Sequence, residues 1–144
     1  MGIETVIGEV LPEVLTTRLD ALVNWEKTAR GAGAMAQCVS LEPVRDLCAR
    51  LGSPEDAFRA EHVAGSKGKG TTSALVAGAL RSAGVRVALY TSPHVERIQE
   101  RLSIDGAEVE ESGLAGALER SLAARERALA AGSAARDATW FDVL

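Results

Sequence analysis

Gly65-Ser66-Lys67-Gly68-Lys69-Gly70-Thr71-Thr72 joins a short apolar run, Glu61–Ala64, to a segment of small and apolar residues that reaches Ala83 and stops at Gly84. The run predicts a strand, the glycines a loop, and Thr72–Ala83 a helix. Beyond the stop, Val85–Tyr90 (Val-Arg-Val-Ala-Leu-Tyr) alternates and is rich in β-branched residues, which predicts a buried strand. Strand, glycine loop, helix and strand make a right-handed crossover. That unit implies an α/β fold, a P-loop-containing parallel sheet flanked by helices.

The loop has its own chemistry. At the entry to a helix, backbone N–H groups and the helix dipole converge on an anion. Glycines let the main chain take positive φ and wrap close to phosphate oxygens. Lys69 is placed to neutralise β and γ phosphates, and the hydroxyl of Thr71 or Thr72 offers a hard oxygen to Mg²⁺. The loop departs from the common G-x-x-x-x-G-K-[ST] pattern, because Val63 stands where the first glycine belongs and Gly70 follows Lys69. A glycine-rich turn with two solvated lysines is the plain alternative. The strand before, the helix after and the second strand beyond favour the nucleotide reading.

Working outward, Val14, Leu15, Leu19, Leu22, Val23 and Trp25 recur at three and four within 12–29, which predicts a first amphipathic helix. Gly31 and Gly33 break it, and a second helix is predicted from Glu42 to Leu51, stopped by Gly52 and Pro54. Downstream of Tyr90, residues 91–100 read as a loop, Arg101–Ile104 as a short strand, and Asp105-Gly106 as a turn. Glu110–Ala131 reads as a long helix ended by Gly132, and Thr139–Leu144 as the start of another strand. The expected division is a helical lead-in over 1–58 and a nucleotide-binding part over 59–144.

Composition bounds the rest. A chain of 144 residues suits one domain of ordinary size. A net charge of −4 and 3% aromatic residues provide neither a basic stripe nor stacking platforms, so nucleic acid is not expected as a partner. Cys38 and Cys48 stand apart, without a CxxC pair or neighbouring histidines, which predicts free thiols in a reducing compartment. Met1–Val10 carries Glu4 and Glu9 but no Lys or Arg, the wrong charge for a signal peptide. No apolar run approaches the roughly 18 residues that a membrane span requires. A cytoplasmic monomer with small-molecule substrates is expected, with no membrane partner.

Several segments also resemble one known family. His62-Val-Ala-Gly-Ser-Lys-Gly-Lys-Gly-Thr71 is similar to the H-V-A-G-T-N-G-K-G-S loop of folylpolyglutamate and dihydrofolate synthases, members of the Mur ligase superfamily. Leu89-Tyr-Thr-Ser-Pro-His94 resembles that family's L-Y-T-S-P-H, Gln99-Glu-Arg-Leu102 its N-E-R-I, and Thr139-Trp-Phe-Asp142 its T-x-F-E. Leu51-Gly-Ser-Pro54 is similar to its L-G-x-P. Four segments in the family's order are far more specific than any one of them, and the likeness extends from Leu19 onward.

The resemblance implies the N-terminal part of a Mur-ligase-like ATP-binding domain. In that family ATP phosphorylates a carboxylate of folate or dihydropteroate, and the amino group of glutamate attacks the acyl phosphate to form an amide, with release of ADP. By the same resemblance Gly65, Ser66, Lys67, Gly68, Lys69, Gly70, Thr71 and Thr72 form the ATP loop, with Lys69 on the phosphates. Thr71 and Asp142 take the positions of the Mg²⁺ ligands, and Ser92, Pro93 and His94 those of a substrate loop. Two residues depart from the family pattern: Lys67 replaces an Asn, and Asp142 is one methylene shorter than the usual Glu. The family's further histidine ligand, modified lysine and glutamate-binding domain correspond to positions beyond residue 144. The chain alone is therefore expected to bind ATP weakly without ligating.

Other readings stand beside these. His94 is either a loop-ordering hydrogen-bond partner or a catalytic acid or base. Glu100 and Arg101 read as an exposed ion pair of little energetic weight. Asp142, in an apolar segment, needs a cation or donors to offset its burial. At the level of function the rivals are a Mur-type ligase of cell-wall synthesis, a non-catalytic nucleotide-binding remnant, and a P-loop protein that hydrolyses ATP without an amine acceptor.

Overall fold

The computed structural model describes residues 11–25 and 40–144. Met1–Val10, the predicted continuation of the first helix to Ala29, Gly31, Gly33 and Cys38 lie outside them. The described part is mixed helix and strand. It divides into two units: one takes the described residues up to Phe58 together with Ala115–Leu144, and the other is Arg59–Leu114. Among the described residues no helix is long and apolar enough to cross a membrane.

The first unit is helical. Helix α1 (Glu13–Asp20) is shorter than its apolar stripe implied. Leu11, Leu15 and Leu19, four apart, are buried, whereas Val14 and Val23 are exposed. The helix ends because its next turn is used elsewhere: the carbonyl of Val23 accepts the N–H of Trp140, and the Trp140 indole N–H reaches Asp20 Oδ1. Helix α2 (Glu42–Arg50) stops where Gly52 takes φ +88 and the Ser53 N–H closes back on the Cys48 carbonyl at 2.8 Å.

Two more helices complete this unit. The long helix α4 (Glu111–Ala131) contributes Leu118, Leu122, Ala124 and Ala128 to its core, the two alanines with no exposed surface. It ends at Gly132, φ +67, as the sequence predicted. A 3₁₀ turn over Ala134–Asp137 and a four-residue helix α5 (Trp140–Val143) follow, and both pack against α2.

Two of these joints are polar. The Asp46 carboxylate accepts the Ser133 hydroxyl at 2.7 Å, the Ala135 N–H at 2.8 Å and the Arg50 Nε–H at 3.1 Å. Those bonds, the Ala135 N–H foremost, hold the Asp46 carboxyl below its usual range. Arg18 pairs with Glu126 at 2.7 Å, joining α1 to α4 at the surface.

The second unit holds helix α3 (Lys69–Ser82) and a three-stranded sheet, β1 (Ala88–Tyr90), β2 (Leu102–Ile104) and β3 (Ala107–Glu108), in the order β1-β2-β3. All its ladders are antiparallel, with Leu89 opposite Ser103 and Ile104 opposite Ala107. The parallel pairing expected of Glu61–Ala64 with Val85–Tyr90 is not among them, and residues 59–65 form no ladder. Geometry next to β1 sets the antiparallel pairing. Asp105 and Gly106 both have positive φ, 52° and 86°, the conformation of a tight hairpin turn that folds β3 back on β2. Asp105 also takes both backbone groups of Val87, its Oδ1 accepting the Val87 N–H and its N–H donating to the Val87 carbonyl, each at 2.8 Å. The strand predicted from Val85 therefore begins only at Ala88. A side chain at Gly106 would be strained by the φ of 86°, and its Cβ would have to displace the flexible Arg81 guanidinium of α3.

Candidate functional site

The glycine loop turns into α3 at Gly68, whose φ of 75° and ψ of 0° are left-handed. Helix begins at once, three residues earlier than the apolar pattern suggested, with the Thr72 N–H donating to the Gly68 carbonyl at 2.9 Å. Lys69, Gly70 and Thr71 therefore form the first helical turn, where N–H groups have no acceptor within the helix. These amides, at the positive end of the dipole, face the loop that precedes them. Residues 65–72 are all exposed, and a Cβ at Gly68 or Gly70 would meet nothing within 4 Å. Lys69 folds back over the loop, its ammonium donating to the Gly65 carbonyl at 2.7 Å. The result is an open concavity of amides with a cation at its lip, suited to a phosphate chain. A separate hollow of about 220 Å³ lies under α3 against Ala74, Ala77, Val87 and Leu89, away from the loop.

Ser92, Pro93 and His94, expected from the resemblance to form a substrate loop, follow β1 in the same unit, with a cis peptide bond between Ser92 and Pro93. Two residues that the sequence suggested were an exposed ion pair hold this loop. Arg101 is 1% exposed. Its Nε–H donates to His94 Nδ1 at 2.7 Å, an Nη1–H to the Tyr90 hydroxyl at 3.3 Å, and its carbonyl accepts the Thr91 N–H at 2.8 Å. Glu100 grips the next stretch: its carboxylate accepts the N–H groups of Val95 at 2.7 Å, Arg97 at 2.8 Å and Glu96 at 3.1 Å. The Val95 N–H, then that of Arg97, hold the Glu100 carboxyl below its usual range. The two motifs Leu89–His94 and Gln99–Leu102 are thus one structural unit, the second clasping the first.

Asp142 belongs to the other unit. The strand predicted over Thr139–Leu144 is helix α5, because Thr139 and Asp142 form a capping box. Asp142 Oδ2 accepts the Thr139 N–H at 2.7 Å and the Thr139 hydroxyl at 2.8 Å. Those donors offset the desolvation of a half-buried carboxylate without a cation. Among the described residues no group of three or more His, Cys, Asp or Glu side chains is gathered as for a metal ion. Cys48 is a free thiol, pushed above its ordinary value by burial and by the nearby Glu55 and Asp142.

No protein-family model matches the chain. Individual proteins do. The dihydrofolate synthase/folylpolyglutamate synthase of Bacillus subtilis is 46% identical over 63 residues, 44% of this chain and 15% of that protein. The Escherichia coli protein of the same name is 36% identical over 91 residues, 63% of this chain and 22% of that one. The folylpolyglutamate synthetase of Lactobacillus casei matches the fold with a TM-score of 0.74 at 26% identity, over 90% of this chain and 30% of the other. A folylpolyglutamate synthase complexed with AMPPCP and folate matches with a TM-score of 0.72 at 28% identity, over 90% of this chain and 29% of that one. Over the matched residues the chain is similar in sequence and in fold to folylpolyglutamate and dihydrofolate synthases.

The chain spans 15% and 22% of the length of the two synthases matched by sequence, and 30% of the L. casei enzyme. Of the residues expected at a site, Gly65–Thr72 come together as one surface, and Ser92, Pro93 and His94 as a second one in the same unit. Sequence reasoning missed that Arg101, Glu100 and Tyr90 hold the loop that carries His94. A signal was available, since two short motifs of one family only five residues apart imply a turn that brings them into contact.

Proposed function

We propose that this chain carries the nucleotide-binding part of an ATP-dependent ligase that joins glutamate to folate or dihydropteroate through an acyl phosphate. The observation that carries this reading is the left-handed Gly68, which aims the free N–H groups of Lys69, Gly70 and Thr71 at the loop while Lys69 bridges back to Gly65. In the proposed role the amides and the Lys69 ammonium hold the β and γ phosphates and take up charge that grows on the transferring oxygens. Lys67, exposed beside them, adds a second cation. The exposed Thr71 hydroxyl offers Mg²⁺ the hard oxygen it prefers, and the ion, when bound, would neutralise phosphate charge.

The match to a synthase solved with AMPPCP, an ATP analogue, and folate supports both the nucleotide and the acceptor. The test is isothermal calorimetry with Mg·ATP at millimolar concentration, on the wild type and on Lys69→Ala. Losing one charge-assisted contact of about 1.5–3 kcal/mol predicts binding about 10- to 150-fold weaker in the variant. No heat from the folded wild type would overturn the proposal. Nucleotide binding without ligation is a second reading, favoured by the engagement of Asp142 with Thr139. A coupled ADP-release assay with dihydropteroate or tetrahydrofolate decides between the two: glutamate-dependent turnover refutes the second.

A further inference from the structure

The contact between Arg101 and His94 constrains the imidazole more than a generic hydrogen bond would. A guanidinium has five N–H donors and no acceptor. His94 Nδ1, 2.7 Å from Arg101 Nε, must therefore present its lone pair, which places the ring proton of the neutral imidazole on Nε2. Arg101 is itself held from several directions. It is buried, its Nη1 reaches Tyr90, its carbonyl anchors Thr91, and the preceding Glu100 pins the main chain of 95–97. The ring it grips is half-buried, in a loop whose Ser92, Pro93 and Val95 are exposed, Val95 at 89%.

We propose that Arg101 is a positioning residue that fixes His94 in the Nε2–H tautomer and closes its Nδ1 to proton abstraction. The folate-ligase reading enters only through the choice of ligand probe. A buried guanidinium suits the task because it keeps its charge and its fork holds the imidazole and Tyr90 together.

The experiment is long-range ¹H–¹⁵N NMR of the histidine rings at about pH 8.5, well above the ordinary imidazole value of about 6.5. The chain has two histidines, so His62→Gln assigns the spectrum. His94 is expected to show a protonated Nε2 and an unprotonated Nδ1. Arg101→Lys, which retains a donor, should preserve that pattern. Arg101→Met should give a mixture of tautomers, with far-UV circular dichroism confirming that the fold is kept. A protonated Nδ1 in the wild type, or an unchanged pattern in folded Arg101→Met, would overturn the proposal, and the wild-type spectrum is decisive even if the Met variant does not fold. Titration with folate forms the second arm: the expected result is a shift at His94 Nε2 and about tenfold weaker binding in Arg101→Met. If folate leaves His94 untouched while the tautomer is as expected, the folate reading of the loop fails and the Arg101 assignment stands.

Discussion

Gly68 and Gly70, with a single residue between them, are expected to answer the same substitution with opposite sign. At Gly68 the backbone is left-handed, φ 75°, and an added Cβ would meet nothing within 4 Å, so the penalty of Gly68→Ala is purely local. That conformation costs an L-residue about 1–2 kcal/mol. Gly70 is the second residue of α3, has no positive φ and is equally open to solvent, so alanine there brings only its helix propensity. The gain is about 0.5–1 kcal/mol. Amide hydrogen exchange over Ala74–Ser82 reads these changes where they act, through local opening of α3. At a factor of ten per 1.4 kcal/mol, Gly68→Ala should speed exchange about 5- to 30-fold and Gly70→Ala should slow it about two- to fivefold. If both variants shift exchange in the same direction, Gly68 is not the residue that turns the loop into the helix, and the geometry assigned to the anion site is wrong.

Leu118→Ala, at a position 1% exposed, should cost about 2–5 kcal/mol in urea denaturation, while Val14→Ala, 67% exposed although read as core from the sequence, should stay within about 0.5 kcal/mol. For Asp46 the folded carboxyl lies below its reference value of 3.8, so its contribution to stability is complete above that value and is lost as the pH falls through the lower folded one. The difference in Tm between wild type and Asp46→Asn should accordingly be largest near neutral pH and shrink in acid; a constant difference would contradict the assignment. In a Cys38→Ser background, Cys48 should react with iodoacetamide at pH 8 more slowly than a free cysteine, because its thiol is pushed upward, and an equal rate would argue against that environment.

Local chemistry was legible in the chain. Glycine stops at Gly52, Gly84 and Gly132, the Asp105-Gly106 turn, the long helix and the glycine loop over 65–70 are all written in residues whose allowed backbone angles leave few options. Family likeness added the order of the motifs. Partnership was not legible, because it depends on which groups meet across the chain. The apolar stripe 14–25 gave no sign that Trp140 would claim the Val23 carbonyl and end α1 early. Thr139–Leu144 has strand-like residues, yet a capping box between Thr139 and Asp142 makes it helical. Leu75 and Val76, apolar residues of the helix predicted over Thr72–Ala83, are exposed on α3.

The candidate site divides in the same way. Sequence alone determined the glycine loop and its turn into a helix, because a glycine's freedom and a lysine's charge are properties of single residues in a short span. Only the tertiary structure decided what Arg101 does. A guanidinium seven residues from a histidine is an ordinary surface charge until the chain turns back and buries it, and only then does its donor-only chemistry dictate where the imidazole keeps its proton.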